Sequence, residues 1–348
     1  MAIAALLIAN SHLERFYPHS WLAGDGLIGN SLFFMLAGYG LVRSERNRSR
    51  GFLPWLWRRV VRIYPALFLV VLTFAVGVNG GWRSWSSSDY LEGLLWPTRY
   101  TFVWYIMPFY PVFYLLMRVQ RRWVYPMATL LITVVYFAAY THDVGTMRSG
   151  VPFHLSDRPT TLHVAAYLQI MLLGGWLAWS ETPSRLPTPW GLVALVTLGG
   201  CYVGAKLLMV LGHGTRGYPL LHLLTYLLCL LFFDTLASAQ AVRFVKERHA
   251  LWLALAFVGG LTLEIYLVHE YIAEHRWVWG AAFPLNLAIF WVLTLPLAYV
   301  TGKASGAIQR RLSTDPPIVK AEGGDAISGS NHDRSRSVIM RGPDDLRN

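Results

Sequence analysis

The sequence predicts an all-α, polytopic membrane protein with about ten transmembrane helices and a disordered C-terminal tail. Composition is the first observation behind this prediction, because 55% of the 348 residues are apolar and only 14% are charged. Soluble domains of this size usually carry about 25% charged residues. The other two observations are the length of the apolar segments and the distribution of the basic residues. Together they indicate that most of the chain faces lipid instead of water.

Ten apolar segments approach the length of a spanning helix, which is about 20 predominantly apolar residues. They cover residues 1–15, 27–43, 63–79, 101–118, 123–141, 161–179, 189–211, 219–237, 251–272 and 282–302. Their apolar residues run continuously instead of alternating, which argues against the strands of a transmembrane β-barrel. We therefore expect a helix bundle.

The basic residues favour one orientation of this bundle. With both termini in the cytoplasm, the inside loops hold 14 Lys and Arg, and the outside loops with their adjoining helix ends hold seven. The tail from Lys303 adds eight more on the inside. The positive-inside rule therefore predicts cytoplasmic termini. It also accounts for the net charge of +11 without a nucleic-acid partner.

The organisation along the chain is simple. Residues 1–302 are expected to form one transmembrane domain, and residues 303–348 a basic cytoplasmic tail. Beyond Leu312 the tail is rich in Gly, Ser, Asp and Arg, so we expect it to be disordered. Cys201 and Cys229 lie in apolar segments, which favours small hydrophobic residues over a disulfide or a metal site.

Two histidines lie at membrane depth, where ionisable groups are rare and often mark function. His12 closes the first predicted span, and His269 lies near the outer end of the ninth. Thr262, Tyr266 and His269 are spaced i, i+4, i+7 and so share one helical face. The predicted topology places both histidines on the same side of the membrane. A histidine that merely anchors a helix end at the interface is the alternative for His12.

Basic residues cluster at the cytoplasmic end of the third span. Arg59 and Arg62 are three residues apart and share a helical face, as do Arg58 and Arg62. Paired guanidinium groups suit phosphate oxygens. The alternative is that these arginines only set the topology and bind anionic lipid.

These clusters, in this order, resemble the acyltransferase 3 family of integral membrane O-acyltransferases. Segment 29–39 is similar to the family's "FF-x-x-SG-x" pattern, and 59–65 to its "R-x-x-R-I-x-P" pattern. Segment 104–106, with the aromatic residues that follow it, resembles "W-(F/Y)-(I/L)…Y", and 265–269 resembles "IYLLH". The resemblance covers residues 1 to about 302 and starts with the apolar helix that ends in His12.

The resemblance implies a donor, an acceptor and site residues. The donor would be an acyl-coenzyme A, usually acetyl-coenzyme A, and the acceptor a hydroxyl, often on a sugar. His12 matches the family's essential histidine, and Arg59 and Arg62 match the arginines associated with the donor. The residues expected to contact the acceptor are Tyr266, His269, Trp104 and Tyr105. No metal is implied, and the expected location is the bacterial inner membrane.

The expected reaction spans the bilayer. Coenzyme A phosphates would lie at Arg59 and Arg62, and the pantetheine arm would carry the thioester through the bundle to His12. An imidazole can take a proton from a hydroxyl near neutral pH. Whether His12 acts as the base or carries the acyl group stays open. This prediction requires a passage between the two ends.

Two departures from the family keep other interpretations open. Met1 occupies the position of a common family arginine, eleven residues before His12, which indicates either a start site placed too late or weaker donor binding. Ala37 replaces the usual serine.

The alternative functions are a transporter of small metabolites or lipid-linked sugars, and a degenerate acyltransferase that only scaffolds partners. Against a transporter, the chain has no repeated halves.

Overall fold

Apolar segments in lipid must satisfy their backbone hydrogen bonds internally, which favours helices. The computed structural model of the protein describes residues 1–24, 26–46, 51–78, 80–97, 99–146, 161–179, 188–210 and 218–313. Every regular element formed by these residues is helical, which confirms the all-α prediction. The predicted disordered tail lies outside the described residues from 314 onward.

Fifteen α-helices, with short 3₁₀ turns and one π-helical segment, make up this part of the chain. They are α1 (Ala2–Ser11), α2 (Gly26–Glu45), α3 (Phe52–Val70, continued as a π-helix over Val71–Val78), α4 (Gly81–Ser84), α5 (Ser87–Leu94), α6 (Thr101–Val119), α7 (Val124–Thr146), α8 (Thr161–Leu177), α9 (Thr188–Val210), α10 (Tyr218–Ala237), α11 (Ala239–Glu247), α12 (His249–Gly260), α13 (Thr262–Glu274), α14 (Arg276–Trp279) and α15 (Leu285–Leu312).

Each of the ten predicted apolar segments coincides with a helix or a bent helix pair, but ten spans are not confirmed. Six helices among the described residues are long and apolar enough to cross a membrane: α2, α3 with its π-helix, α6, α9, α10 and α15. A seventh span is the pair α12 and α13, which bends by 75°. The described parts of α1, α7 and α8 are apolar but shorter. The last span, α15, continues to Leu312, so the first ten residues of the predicted tail are helical.

Helices α2 and α8 approach each other closely because glycines face the partner backbone. A Cβ atom at Gly38 would overlap the carbonyl group of Met171, and one at Gly174 would overlap that of Met35. Small residues at such crossings allow the tight packing on which helix association in membranes depends. This pair forms part of the buried core that also contains Phe34, which stacks on Tyr167 with ring centroids 4.8 Å apart.

Two short helices carry the predicted histidines to one place. Helix α1 has 10 residues, about 15 Å, and so covers about half of a 30 Å hydrocarbon core. Helix α13 begins at the bend after α12 and packs against α1, α3 and α15. Because α1 ends where α13 passes it, His12 at the end of α1 comes to lie beside the second half of α13.

Candidate active site

The position of His12 is fixed by the loop that follows α1. The Asn10 amide donates a hydrogen bond to the carbonyl of Ala23 over 2.7 Å. Its carbonyl oxygen accepts one from the Tyr17 hydroxyl over 2.6 Å. The amide of Asn286 on α15 donates to the carbonyl of Phe16 over 2.7 Å. These three bonds fold residues 13–23 back over the end of α1 and leave His12 exposed.

His12 and His269 form an edge-to-face pair. Their ring centroids are 4.8 Å apart and their planes are inclined by 66°. The two rings differ in environment, because His12 is exposed whereas His269 is only 2% exposed. The pair therefore joins the surface of the bundle to its interior.

The hydrogen bonds of His269 determine its tautomer. Its Nδ1 atom lies 2.8 Å from the carbonyl oxygen of Tyr266 and 3.1 Å from that of Ile265. Because carbonyl oxygens only accept, Nδ1 carries the proton and Nε2 presents its lone pair. This buried Nε2 atom has no hydrogen-bond partner among the described residues. His269 is thus held as an acceptor beside His12.

Tyr266 lies one turn before His269 and contacts the first turn of α6. Its hydroxyl oxygen accepts a hydrogen bond from the backbone N–H of Phe102 over 3.0 Å. Its ring centroid is 5.9 Å from that of His269 and 5.8 Å from that of Phe102. The hydroxyl therefore satisfies one of the N–H groups that a helix start leaves without an internal partner.

Trp104 and Tyr105 continue this aromatic lining along α6. Their ring centroids are 4.9 Å apart, and that of Tyr105 is 5.7 Å from Tyr167 on α8. Tyr167 stacks on Phe34, whose ring centroid is 5.0 Å from that of Phe102, the ring beside Tyr266. The indole N–H of Trp104 is buried and has no acceptor among the described residues. Of the predicted acceptor residues, Tyr105 therefore lies near Tyr266, and Trp104 lies next to Tyr105.

A second set of contacts ties the start of α6 to α13 beyond the histidines. The Arg99 guanidinium lies 2.6 Å from Glu274 and 3.4 Å from Glu270. It also lies over the ring of Tyr271, 4.7 Å from the centroid. The Tyr100 hydroxyl donates to the Tyr271 hydroxyl over 3.1 Å. We call this group, Arg99 with Glu270, Tyr271 and Glu274, the Arg99 clamp.

The predicted donor arginines lie elsewhere, and Arg59 already has partners. Its guanidinium is 3.4 Å from a Glu45 carboxylate oxygen and lies over the ring of Trp55, 4.6 Å from the centroid. The two side chains of this ion pair are only 13% and 7% exposed. Arg62 is exposed and forms no ion pair with the described residues, although it interacts electrostatically with Glu264 and with Tyr110.

Helix geometry gives the separation of the two levels along α13 and α6. Glu264 and His269 are five residues apart on α13, which corresponds to about 7.5 Å along the helix axis. Phe102 and Tyr110 are eight residues apart on α6, about 12 Å. Glu264 and Tyr110, which experience the charge of Arg62, therefore lie about one and a half to two helical turns from the residues of the histidine end.

The passage that the prediction requires is not seen. Along α6 the side chains between these levels include Val103, Ile106 and Phe109, which are 0–3% exposed. Along α13, Leu267 and Val268 are 0% exposed. Two grooves described on the bundle, one along α9 and α10 and one between α3 and α5, are lined by none of the predicted site residues. In this conformation the described core between the two ends is packed.

Comparison with known proteins decides the family. A family model described as an acyltransferase domain matches residues 2–303. The chain belongs to the acyltransferase 3 family. It is therefore a membrane acyltransferase, which argues against the transporter as an interpretation. No curated protein and no solved structure matches the chain significantly.

In this acyltransferase the structure separates the predicted residues into two groups. One group, which we call the histidine end, contains His12, His269, Tyr266 and Tyr105, with Trp104 next to Tyr105. The other group, the arginine end, contains Arg59 and Arg62. Glu45, Tyr167 and Arg99 were missed from the sequence. Only Glu45 could have been recognised from the sequence, because it is the single acidic residue among the seven arginines of segment 43–62.

Within the described residues, no three His, Cys, Asp or Glu side chains lie together as metal ligands do.

Proposed function

We propose that this acyltransferase moves an acyl group, in the first instance acetyl, from coenzyme A to a hydroxyl of a sugar or glycan-like acceptor. The proposed location is the bacterial inner membrane with both termini in the cytoplasm. The observation that carries the proposal is the histidine pair, in which an exposed imidazole lies against a buried one whose acceptor nitrogen has no described partner. Family membership supplies the reaction class.

Coenzyme A phosphates bind at Arg62 and Arg59 in this proposal. Arg62 is exposed and forms no ion pair with the described residues, so it makes the first contact. Arg59 then exchanges Glu45 for a phosphate oxygen. Guanidinium groups bind phosphate through charge-assisted hydrogen bonds, which are roughly twice as strong as neutral ones. The cation–π contact with Trp55 holds the Arg59 guanidinium in place during this exchange.

The acyl transfer itself needs a base that the acceptor can reach, and His12 meets that requirement. The acceptor oxygen attacks the thioester carbonyl carbon and forms the new C–O bond, while its proton moves to the His12 imidazole. The tetrahedral intermediate then collapses, the C–S bond breaks, and the thiolate takes the proton from His12. The products are the ester and free coenzyme A, and every proton is accounted for.

His269 assists by accepting a hydrogen bond from His12. Its Nδ1–H group is held by backbone carbonyls, so its Nε2 atom stays available as an acceptor. An imidazolium formed on His12 would donate to Nε2 of the buried His269 and be stabilised by that hydrogen bond. This is the arrangement of a base oriented by a second side chain, as in catalytic triads. Trp104 and Tyr105 line the acceptor side in the proposal.

Because the described core is packed between the two ends, donor binding must separate α6 from α13. The side chains that would have to move are buried apolar residues such as Ile106 on α6 and Val268 on α13. Conformational opening of this kind commonly limits enzyme turnover. The proposal therefore includes a conformational step before chemistry.

Membranes containing the protein, incubated with acetyl-coenzyme A labelled in the acetyl group, test this function. We expect label in a saccharide or lipid fraction, dependent on the protein. Membranes carrying a His12→Ala variant that inserts at wild-type levels provide the control and should transfer far less. Label that stays in coenzyme A with the wild-type protein would contradict the proposal.

A further inference from the structure

The Tyr266 hydroxyl can donate a hydrogen bond for which the described residues provide no acceptor. Its oxygen accepts the Phe102 N–H over 3.0 Å, but among the described residues nothing accepts its own proton. A hydroxyl has one proton to donate in addition to its lone pairs. Tyr266 is half-buried, and polar groups inside a protein are usually satisfied, so its open donor is available to a bound ligand.

Tyr266 is the ring next to the histidine pair on α13. One turn further along the helix, His269 leaves its Nε2 lone pair without a described partner, and its ring centroid is 5.9 Å from that of Tyr266. An open acceptor and an open donor therefore belong to neighbouring rings. In the proposed acyl transfer His12 takes the hydroxyl proton with His269 as its acceptor, and the reaction still needs a donor that stabilises the oxyanion.

The bond from Phe102 also prepares Tyr266 as a donor. A hydroxyl that accepts a hydrogen bond is polarised and donates more strongly. The N–H group belongs to the first turn of α6, where the helix dipole adds positive potential. Both effects act on the Tyr266 oxygen before any substrate binds, and a fixed donor of this kind does not have to reorganise during the reaction.

We infer that the Tyr266 hydroxyl is the oxyanion donor of this site: it donates its proton in a hydrogen bond to the thioester carbonyl oxygen as that oxygen becomes negative. The inference rests on the proposed acyl transfer at the histidine pair. As the C–O bond forms, the carbonyl π electrons move to the oxygen and the Tyr266 hydrogen bond strengthens. When the C–S bond breaks, the electrons return and the bond weakens. Tyr266 ends the cycle as it began.

A pair of phenylalanine variants tests the inference. Tyr266→Phe should lower kcat by about 100-fold or more, the usual cost of losing one oxyanion donor, with the KM for acetyl-coenzyme A close to wild type. Tyr271→Phe is the matched control, because Tyr271 is on the same helix and its hydroxyl also bonds to the start of α6, through Tyr100. We expect its kcat to stay near wild type. Equal losses of kcat in both variants would reduce Tyr266 to a packing contact and overturn the inference.

A second measurement separates donation from the bond to Phe102. Fluorinated tyrosines at position 266 keep the oxygen that accepts the Phe102 N–H and change only the acidity of the O–H group. A kcat that varies with this acidity supports the inference, and a kcat independent of it overturns it.

The outcome for the proposed function is distinguishable in the same assay. If His12→Ala abolishes transfer while Tyr266→Phe keeps wild-type kcat, the oxyanion assignment fails and the acyl transfer stands. If His12→Ala transfers acetyl normally, the proposed mechanism itself fails.

Discussion

His269 at the histidine end and Arg59 at the arginine end of this acyltransferase differ in the partners of their polar atoms. At the histidine end, His269 Nε2 and the Tyr266 proton have no partner among the described residues. At the arginine end, Arg59 lies 3.4 Å from Glu45 and over the ring of Trp55. His269 thus keeps an acceptor open, whereas the charge of Arg59 is already paired.

This difference predicts how each end contributes to turnover. A buried polar atom without a partner costs about 1–3 kcal/mol of stability, and a substrate group that pairs with it recovers that cost. Groups used only in the transition state change kcat, whereas groups that bind substrate and transition state equally change KM. We therefore expect substitutions at the histidine end to act on kcat and those at the arginine end on KM.

The largest effect should follow removal of an imidazole. His12→Ala and His269→Ala should each lower kcat, with His12→Ala losing about 10²- to 10⁴-fold, the usual contribution of a general base. The KM for acetyl-coenzyme A should change little. His275→Ala is the matched control, because His275 Nδ1 also lies near a carbonyl, that of Tyr271 at 2.7 Å, without belonging to the pair. A rise in KM at constant kcat would place His12 in donor binding instead.

Removal of both arginines should come next. Arg59→Ala combined with Arg62→Ala should raise the KM for acetyl-coenzyme A by about 10-fold or more, because each hydrogen bond to a charged group contributes about 1.5–3 kcal/mol. The kcat value should stay close to wild type. Arg243→Ala serves as a control for loss of basic charge, since Arg243 is 81% exposed and paired with Glu247. An unchanged KM would restrict the two arginines to setting topology.

Glu45→Gln should change the KM in the opposite direction. The glutamine oxygen still accepts a hydrogen bond from Arg59 but competes less with phosphate, so we expect the KM for acetyl-coenzyme A to fall by up to about fivefold, the equivalent of the roughly 1 kcal/mol by which a charged hydrogen bond exceeds a neutral one. Steady-state kinetics with Glu247→Gln as the control measure this shift. A higher KM would show that Glu45 holds Arg59 ready for the donor instead of occupying it.

The Arg99 clamp should give the smallest effect. Its charged side chains are 29–52% exposed, and exposed ion pairs contribute about 0.2–1 kcal/mol. Arg99→Gln should therefore lower kcat by about twofold, through looser placement of α13 beside His12. High salt should reduce the wild-type rate to that of the variant, since salt screens exposed charges. A salt effect of equal size in both proteins would contradict a role for the clamp.

Much of the fold was accessible from sequence because lipid imposes simple rules. The ten apolar segments all coincide with helices or with the bent pair, since hydropathy reports which residues avoid water. Hydropathy does not report where a helix stops. That α1 ends at Ser11, and that α12 and α13 bend at Leu261, depends on tertiary packing, so the number of spans could not be counted from the sequence.

Sequence motifs and the predicted topology identified part of the site. The predicted orientation placed His12 and His269 on one side of the membrane, and the structure places their rings in contact. The ion-pair partner of Arg59 and the tautomer of His269 were not predictable. The pairing of Arg59 with Glu45 joins two helices, and the tautomer of His269 follows from its rotamer relative to the carbonyls of Ile265 and Tyr266. Neither leaves a pattern in the sequence.

In the proposed mechanism one donor molecule bridges the two ends, and photo-crosslinking with donor analogues tests this bridging. Two analogues of acetyl-coenzyme A are needed, one with a photoreactive group on the acyl chain and one with the group on the adenine. We expect the acyl probe to label peptides containing His12 or Tyr266 and the adenine probe to label the peptide containing Arg62. Unlabelled acetyl-coenzyme A should suppress both. Labelling of a single region by both probes, or acyl labelling away from the histidines, would contradict this bridging.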